Sequence, residues 1–445
     1  MVDAGVDEVA IDTFAHYYRL LEHGETGMIP ESAIEPLDME SLADLEVDEQ
    51  AAADAIRTTA VIKLNGGLGT SMGMDRAKSL LCVRRGLSFL DVIARQVLHL
   101  RQEFDAPLPL IFMNSFRTSA DTMAAVARYE DLPVEGLPLE FWQNKEPKLL
   151  EKDLLPASYP RDPDLEWCPP GHGDLYTALR GTGLLERLIE AGYERVFVSN
   201  SDNLGAVPDG KVAGWFKSCG TPFAIEAVRR TPSDRKGGHF ARRKNDGRIV
   251  LRETAQTLPG DLEALADLDR HRFCSTNNLW FDLVAMREEL DRRGGILGLP
   301  LIRNVKNLDP ADPSTPKVVQ IETAMGAAIE VFEDSRTIEV GRDRFIPVKT
   351  TNDLLVLRSD VYDLGKDFGL DQASDVPYVE LDPDFYQLVG DFDQRFPQGA
   401  PSLRQARSLK VEGDFTFGKG VQVVGDVELE SDSAKRIEAD TVLDG

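Results

Sequence analysis

Apolar residues recur along the chain with two periods, and the points where one gives way to the other outline the elements. Within residues 6–22, Val9, Phe14, Tyr17 and Leu21 fall at helix-like spacing, which predicts an amphipathic helix packed by one face. From Glu22 to about Ala55 the chain is acidic and carries Pro30 and Pro36, so it reads as a connector with limited helix. From Ile56 onward short apolar runs alternate with helical stretches: residues 58–64 as a buried strand, 89–100 as a helix and 108–113 as a strand. Further strands at 139–143, 194–199, 223–228 and 248–253 suffice for a mixed central sheet in an α/β domain. After about Ala400 the texture changes. Val411, Phe415, Phe417, Val421 and Val423 alternate with polar residues and are punctuated by Gly413, Gly418, Gly420 and Gly425, which predicts short strands in a small β-helix or meander.

A chain of 445 residues exceeds what one core usually serves, so more than one domain is expected. The changes of pattern place them at 1–55 (helix and acidic connector), 56–355 (the α/β domain) and 356–445 (a C-terminal domain ending in the short β-region). A formal net charge of −26 repels polyanions and argues against nucleic acid or an anionic membrane as partner. Any phosphorylated ligand therefore needs a local reversal of sign, for which Lys63, Arg76 and Lys78 are the candidates. Cys82, Cys168, Cys219 and Cys274 show neither metal-ligand spacing nor the density of a disulfide scaffold, and read as buried thiols in a reducing compartment. The start of the chain lacks the features of a signal peptide and no apolar run is long enough to cross a bilayer, so a cytoplasmic protein is expected.

The candidate chemistry begins at Val61-Ile62-Lys63-Leu64-Asn65-Gly66-Gly67-Leu68-Gly69-Thr70-Ser71-Met72-Gly73. Its four glycines open backbone conformations closed to other residues and leave N–H groups free to face an oxyanion. The spacing is neither Gly-x₄-Gly-Lys-Ser/Thr, since Met74 to Ala77 intervene before Lys78, nor Gly-x-Gly-x-x-Gly, since Met72 stands at the third glycine. It is a phosphate cradle of another kind, leaving the carboxyl end of a strand.

Four later segments follow it in order: Pro169-Pro170-Gly171-His172-Gly173-Asp174, Val198-Ser199-Asn200-Ser201-Asp202-Asn203-Leu204-Gly205, Asn277-Asn278-Leu279-Trp280 and Pro347-Val348-Lys349-Thr350-Thr351. With the loop, with Met113-Asn114-Ser115-Phe116, with Gln320-Ile321-Glu322-Thr323-Ala324 and with Phe415-Thr416-Phe417-Gly418-Lys419, they closely resemble the eukaryotic-type UTP–glucose-1-phosphate uridylyltransferases, or UDP-glucose pyrophosphorylases. The resemblance implies a Rossmann-like, GT-A-like nucleotidyltransferase sheet followed by a C-terminal left-handed parallel β-helix. It also implies a reversible, Mg²⁺-dependent reaction of UTP with α-D-glucose 1-phosphate. On that basis Leu64, Asn65, Gly66 and Gly67 hold the nucleotide, Gln143 reads uracil, Gly171 touches the nucleotide and His172 the sugar-phosphate side. Asn200, Ser201 and Asp202 meet sugar and phosphate, Asp202 also holding the metal, and Gly238, Glu253 and Asn277 surround the glucose. One departure stands out: Arg76-Ala77-Lys78 replaces the Gly-Pro-Lys usual in this family, removing proline's rigidity. A homo-oligomer through the C-terminal domain is also implied, with its size left open by a chain that stops at Gly445, short of animal and fungal members.

The residue types suit this reaction. A phosphate monoester is largely ionised at neutral pH, with a second pKa of about 6, so the nucleophile needs no general base. The task is to gather two polyanions and stabilise the transferring group, which is work for amides, lysines and a divalent ion. Lys78 is expected at the β- and γ-phosphates and Lys349 at the sugar phosphate and α-phosphate, with His172 donating a hydrogen bond to phosphate. The amide of Gln143 presents a donor and an acceptor that match one edge of uracil. Trp142, Trp167 and Trp280 read as packing residues. Two other readings compete: a broader UDP-sugar or UDP-N-acetylhexosamine pyrophosphorylase, and a catalytically silent nucleotide-sugar sensor or scaffold.

Overall fold

The computed structural model describes residues 1–235 and 237–445. Its main sheet has eight strands: β1 (Glu40–Ser41), β2 (Thr59–Asn65), β3 (Leu110–Asn114), β4 (Glu140–Trp142), β5 (Arg195–Asn200), β6 (Phe223–Arg229), β7 (Phe273–Asp282) and β8 (Arg336–Glu339). They lie in the order β1-β8-β6-β7-β5-β2-β3-β4. All neighbours run parallel except β7, which is antiparallel to both β5 and β6. From β2 the chain builds β3 and β4 on one side, then returns to add β5 on the other. A crevice therefore opens beyond the ends of β2 and β5, the switch point at which open α/β sheets take ligands.

The apolar runs form strands because both faces of the sheet are covered. In β2, Val61 enters a core with Phe89, Phe112, Phe197 and Trp280. Ala60 and Ile62, pointing the other way, enter a second core with Ile111, Leu175, Val196 and Phe281. Such double burial is what a continuous apolar strand requires. Helix Phe89–Phe104 covers the first face and is started by a capping box, in which Ser88 N donates to Asp91 Oδ2 at 2.9 Å while the Ser88 hydroxyl caps Asp91 N–H. The N-terminal helix runs over Glu8–Glu22 and buries Tyr17 and Leu21.

Several expectations are corrected. The acidic stretch before Ile56 contains a helix, Glu49–Arg57, capped by Asp48. Its alanines are strong helix formers and its acids lie on the solvent side, so charge hid the periodicity. The predicted strand near 248–253 is Ile249–Arg252, but it belongs to a separate three-stranded sheet with His239–Arg243 and Ile34–Pro36. Strand β7 escaped the pattern because Ser275-Thr276-Asn277-Asn278 interrupts its apolar alternation at a bulge, where Ile225 faces Leu279 but Ala227 faces Ser275. Cys82 is exposed and Cys219 half-buried, so only Cys168 and Cys274 are buried thiols. Trp280 packs on Phe197 with centroids 4.8 Å apart, whereas Trp142, at the end of its strand, is 52% exposed.

Past residue 375 the strands stack in parallel: Tyr378–Leu381 on Ser402–Glu412, that on Gln422–Glu430, and that on Val442–Asp444. Twenty residues separate Ser402 from its partner Gln422, and Gln422 from Val442. Leu403, Leu409, Val411, Phe417 and Val421 fill the inside of these coils. The main sheet and this stack together make a mixed α/β structure. Among the described residues no helix is long and apolar enough to cross a membrane.

Candidate active site

β2 ends at Asn65 and the glycine loop carries the chain over the crevice. Gly69 and Gly73 take left-handed φ values of 67° and 74°, bracketing a short turn at Thr70–Met72. Gly66 leaves room for a neighbouring side chain: a Cβ there would lie 2.7 Å from Oε1 of Gln143 and would push that amide aside. Lys78 N–H closes the loop on Gly67 O at 3.1 Å. The residue before it, Ala77, already holds φ −51° and is fully buried, so packing imposes the backbone that a proline would have fixed. The ammonium of Lys78 donates to Asp202 Oδ2 at 2.7 Å and to Val348 O at 2.5 Å.

One cleft of about 860 Å³ gathers Leu64, Asn65, Gly66, Gly67, Lys78, Gln143, Gly171, His172, Asn200, Ser201 and Asp202. Asn65 gives both amide hydrogens to the protein, to Asn114 Oδ1 and Thr122 Oγ1, each at 2.8 Å. Gln143 is anchored by its N–H on Asn114 O at 2.8 Å, and its side-chain amide has no hydrogen-bond partner among the described residues. Gly171, at φ 78°, would place a Cβ 2.6 Å from Thr323 O, so the Gly171-His172-Gly173 turn lies flush on the segment that follows Glu322. There Met325 N–H donates to Nδ1 of His172 at 2.9 Å. An accepting Nδ1 belongs to the neutral ring with its proton on Nε2. The ring edge is exposed to the cleft while protein surrounds it at longer range, and the lost hydration lowers its pKa to about 4.

At the end of β5, Ser201 Oγ donates to Leu64 O at 2.8 Å, joining the two strand ends. Val348 N–H donates to Asp202 O at 3.1 Å, and Asn203 Oδ1 accepts from Ile346 N–H at 2.9 Å, so the loop bearing Lys349 is sewn to the loop bearing Asp202. Beneath them Glu226, fully buried, accepts from Trp280 Nε1, Asn278 Nδ2 and the Arg344 guanidinium. Lys63 belongs to this underside and not to the cleft. It shares the strand parity of Val61, and its ammonium donates to Ser199 Oγ at 2.7 Å and Ala206 O at 2.6 Å. Burial pulls its pKa down to about 7. Arg76 is exposed.

The four remaining candidates stand apart from the walls of this cleft. Gly238 and Glu253 flank the paired residues His239 and Arg252 of the separate hairpin, and a Cβ on Gly238 would lie 2.6 Å from Glu253 Oε2. Asn277 sits at the β7 bulge with φ 58°, a conformation that disfavours most side chains and projects this one from the sheet. Lys349 is exposed. Burial raises the pKa of Glu253, and the charge of Lys349 opposes that rise, so the two lie near each other. Sequence reasoning missed Ser79, Met113 and Pro169 in the cleft wall. Ser79 is 2% exposed with no partner for its hydroxyl among the described residues, and its place beside Lys78 was the signal.

Two places could be considered for a metal. Asp202 offers a single carboxylate whose second oxygen, Oδ1, takes no hydrogen bond among the described residues, in a cleft lined by amides. That donor set fits Mg²⁺, which binds one or two carboxylates together with substrate phosphates. Glu31, His239 and His271 also cluster. Their imidazoles, however, stack at 3.7 Å, so both lone pairs cannot aim at one ion, and Arg252 and Arg270 already neutralise Glu31.

A family model described as UTP–glucose-1-phosphate uridylyltransferase matches residues 11–424. The protein of that name from Hordeum vulgare is 36% identical over 404 residues, covering 90% of this chain and 83% of the relative. The one from Solanum tuberosum is 36% identical over 406 residues, with 90% and 82% covered. Among solved structures, a variant of UDP-glucose pyrophosphorylase from Leishmania major in complex with UDP-glucose gives a TM-score of 0.94 at 42% identity, over 100% of this chain and 96% of that one. UDP-glucose phosphorylase from Trypanosoma brucei gives 0.91 at 39% identity, over 100% and 98%. With sequence and fold matching over nearly its whole length, the chain belongs to the UTP–glucose-1-phosphate uridylyltransferase family.

Proposed function

We propose that this protein transfers a uridylyl group from UTP to α-D-glucose 1-phosphate, giving UDP-glucose and pyrophosphate. The observation that carries the reading is the convergence of an unpartnered Gln143 amide, the glycine loop, Lys78, His172 and Asp202 on one cleft at the sheet's switch point. The phosphate oxygen of glucose 1-phosphate, already ionised, attacks the α-phosphorus of UTP. As that bond forms, the bond from the α-phosphorus to the bridging oxygen breaks and pyrophosphate departs. No covalent enzyme intermediate is needed.

Gln143 pairs with uracil through one donor and one acceptor, and Leu64, Asn65, Gly66, Gly67 and Gly171 approach the nucleotide with backbone. Lys78 turns from Asp202 to the β- and γ-phosphates and follows the leaving pyrophosphate. Lys349 bridges the sugar phosphate and the α-phosphate. His172 donates from Nε2, and Asn200 and Ser201 meet sugar and phosphate. Gly238, Glu253 and Asn277 hold the glucose hydroxyls. Two unit charges 4 Å apart interact by about 4 kcal/mol at an effective dielectric near 20, so one such lysine strongly affects the rate. Asp202 would hold Mg²⁺, which when bound would neutralise phosphate charge.

The parallel coils with a twenty-residue repeat support a left-handed β-helix as the C-terminal domain, and the exposed edge strand Val442–Asp444 is a surface through which copies could join. We place the domains at 1–55, 56–355 and 356–445, and the protein in the cytoplasm. The test is release of pyrophosphate from UTP with a panel of sugar 1-phosphates, with and without Mg²⁺. Release with glucose 1-phosphate in preference to other sugars, and only with Mg²⁺, supports the reading. Equal release with N-acetylhexosamine 1-phosphates favours the broader pyrophosphorylase, and no release with any sugar favours the sensor.

A further inference from the structure

Gln143 carries the burden of base recognition in the reading above, yet its amide takes no hydrogen bond among the described residues. Its orientation must come from its neighbours. On one side its N–H is held by Asn114 O. On the other side Asn144 is gripped twice by Asp174: the Asn144 N–H donates to Oδ2 at 2.6 Å, and Asn144 Nδ2 donates to Oδ1 at 2.8 Å. Asp174 is 4% exposed and opens the helix Asp174–Gly181. It stands two residues after His172, in a turn pinned by Gly173 N–H to Thr323 O at 2.8 Å and Thr323 N–H to Pro170 O at 3.0 Å.

We infer that Asp174 is the positioning residue for nucleobase selection, holding the Gln143–Asn144 segment in one register with the Gly171-His172-Gly173 turn, so that the base and the phosphates of one nucleotide are read from a single rigid frame. This rests on the assignment of Gln143 to uracil. The bonding pattern requires a carboxylate: both oxygens accept from N–H groups, and an acid would have to give up one of them. Burial raises the Asp174 pKa to about 7, while the two bonds from Asn144 work against that rise. Glu146, 3% exposed, lines the same space and leaves Oε1 without a partner among the described residues. Burial first, then the nearness of Asp174, raises its pKa well above the usual carboxylate range. Burial pushes both carboxyls up, and it is the two bonds from Asn144 that favour the charged form of Asp174.

The test compares discrimination between UTP and CTP, as a ratio of kcat/KM, in the wild type, Gln143→Ala, Asp174→Asn and the double variant, using the full-length enzyme. Asp174→Asn should lower the ratio about tenfold, the scale of a disturbed charge-assisted hydrogen bond, mostly through a higher KM for UTP with the KM for glucose 1-phosphate unchanged. In the Gln143→Ala background the same substitution should leave the ratio where Gln143→Ala alone put it, since a residue acting through Gln143 has nothing left to position. If Asp174→Asn does not fold, Asn144→Ala, which loses only the Nδ2 bond, must move the ratio in the same direction by a smaller factor. A Gln143→Ala enzyme that still discriminates fully overturns the uracil assignment. A Gln143→Ala enzyme that loses discrimination beside an Asp174→Asn enzyme that keeps it overturns the positioning role alone.

Discussion

The residues we propose for the nucleotide stand on the ends of neighbouring parallel strands, where Asn65 pairs in register with Asn114 and Asn114 with Trp142, one residue before Gln143. The residues we propose for the sugar come from elsewhere: Gly238 and Glu253 from a hairpin in another sheet, Asn277 from a bulge, and Lys349 from an exposed loop. Strands hydrogen-bonded within one sheet cannot shift singly, so the nucleotide groups are pre-set. The hairpin of Gly238 and Glu253 shares no ladder with that sheet, whereas Asn277 stands on β7 within it and Val348 N–H ties the Lys349 loop to Asp202 O, so it is the spacing of the hairpin from the rest that is left to the substrate. Preorganisation lowers the cost of binding on the first side and not on the second.

The two lysines divide along the same line and give the largest expected effects. Lys78 in the empty cleft ties Asp202 to Val348, so Lys78→Ala removes a charge and also leaves a carboxylate unpaired. We expect kcat to fall about 10³-fold with a raised KM for UTP. Lys349 has no ion pair among the described residues, so Lys349→Ala should lower kcat about 10²-fold with little change in the KM for UTP. Steady-state kinetics on both folded variants checks the contrast; a near-normal kcat for Lys349→Ala rejects its role.

Next come two substitutions that should separate the substrates. Gly66→Ala drives a methyl into the Gln143 amide and should raise the KM for UTP about tenfold while sparing glucose 1-phosphate. Glu253→Gln should do the reverse, raising the KM for glucose 1-phosphate about tenfold, the scale of one lost charged hydrogen bond. Crossed effects, with each variant moving the other substrate, would dissolve the division into sides.

The smallest effect is on stability and belongs to the sugar side. His239 lies directly behind Gly238, stacked on His271, with Arg252 and Arg230 near and Glu31 beyond His271. Burial first, then the stacked His271 ring and, less, Arg252 and Arg230, pull its pKa down from 6.5 to about 3. Between those values the unfolded chain binds the proton and the folded one does not, so stability is lost as pH falls from 6.5 toward 3. The slope is at most about 1.4 kcal/mol per pH unit for this ring. Urea unfolding at pH 7 and pH 5 should show a smaller loss for His239→Gln than for the wild type; equal losses would acquit the imidazole.

How much of this could be read from residues alone also differs between the two sides. The glycine loop announces itself, because backbone freedom is written in residue type. Gln143, His172 and Asp202 were legible only through the order of their motifs, since any single Gln, His or Asp is more often ordinary. Lys63 was misplaced as a phosphate candidate, although counting strand parity from Val61 would have sent it to the underside. The Asp174–Asn144 clamp joins residues thirty apart, and Glu226 beneath the cleft meets Arg344 from another part of the chain. Neither leaves a trace in local pattern, because the fold alone brings them together.

The contrast between a pre-set nucleotide side and a substrate-assembled sugar side is tested most directly by calorimetric titration of the empty enzyme with each substrate alone in the presence of Mg²⁺. UTP should give a saturable heat, and glucose 1-phosphate none over the same concentrations. Glucose 1-phosphate binding the empty enzyme as tightly as UTP would contradict the account.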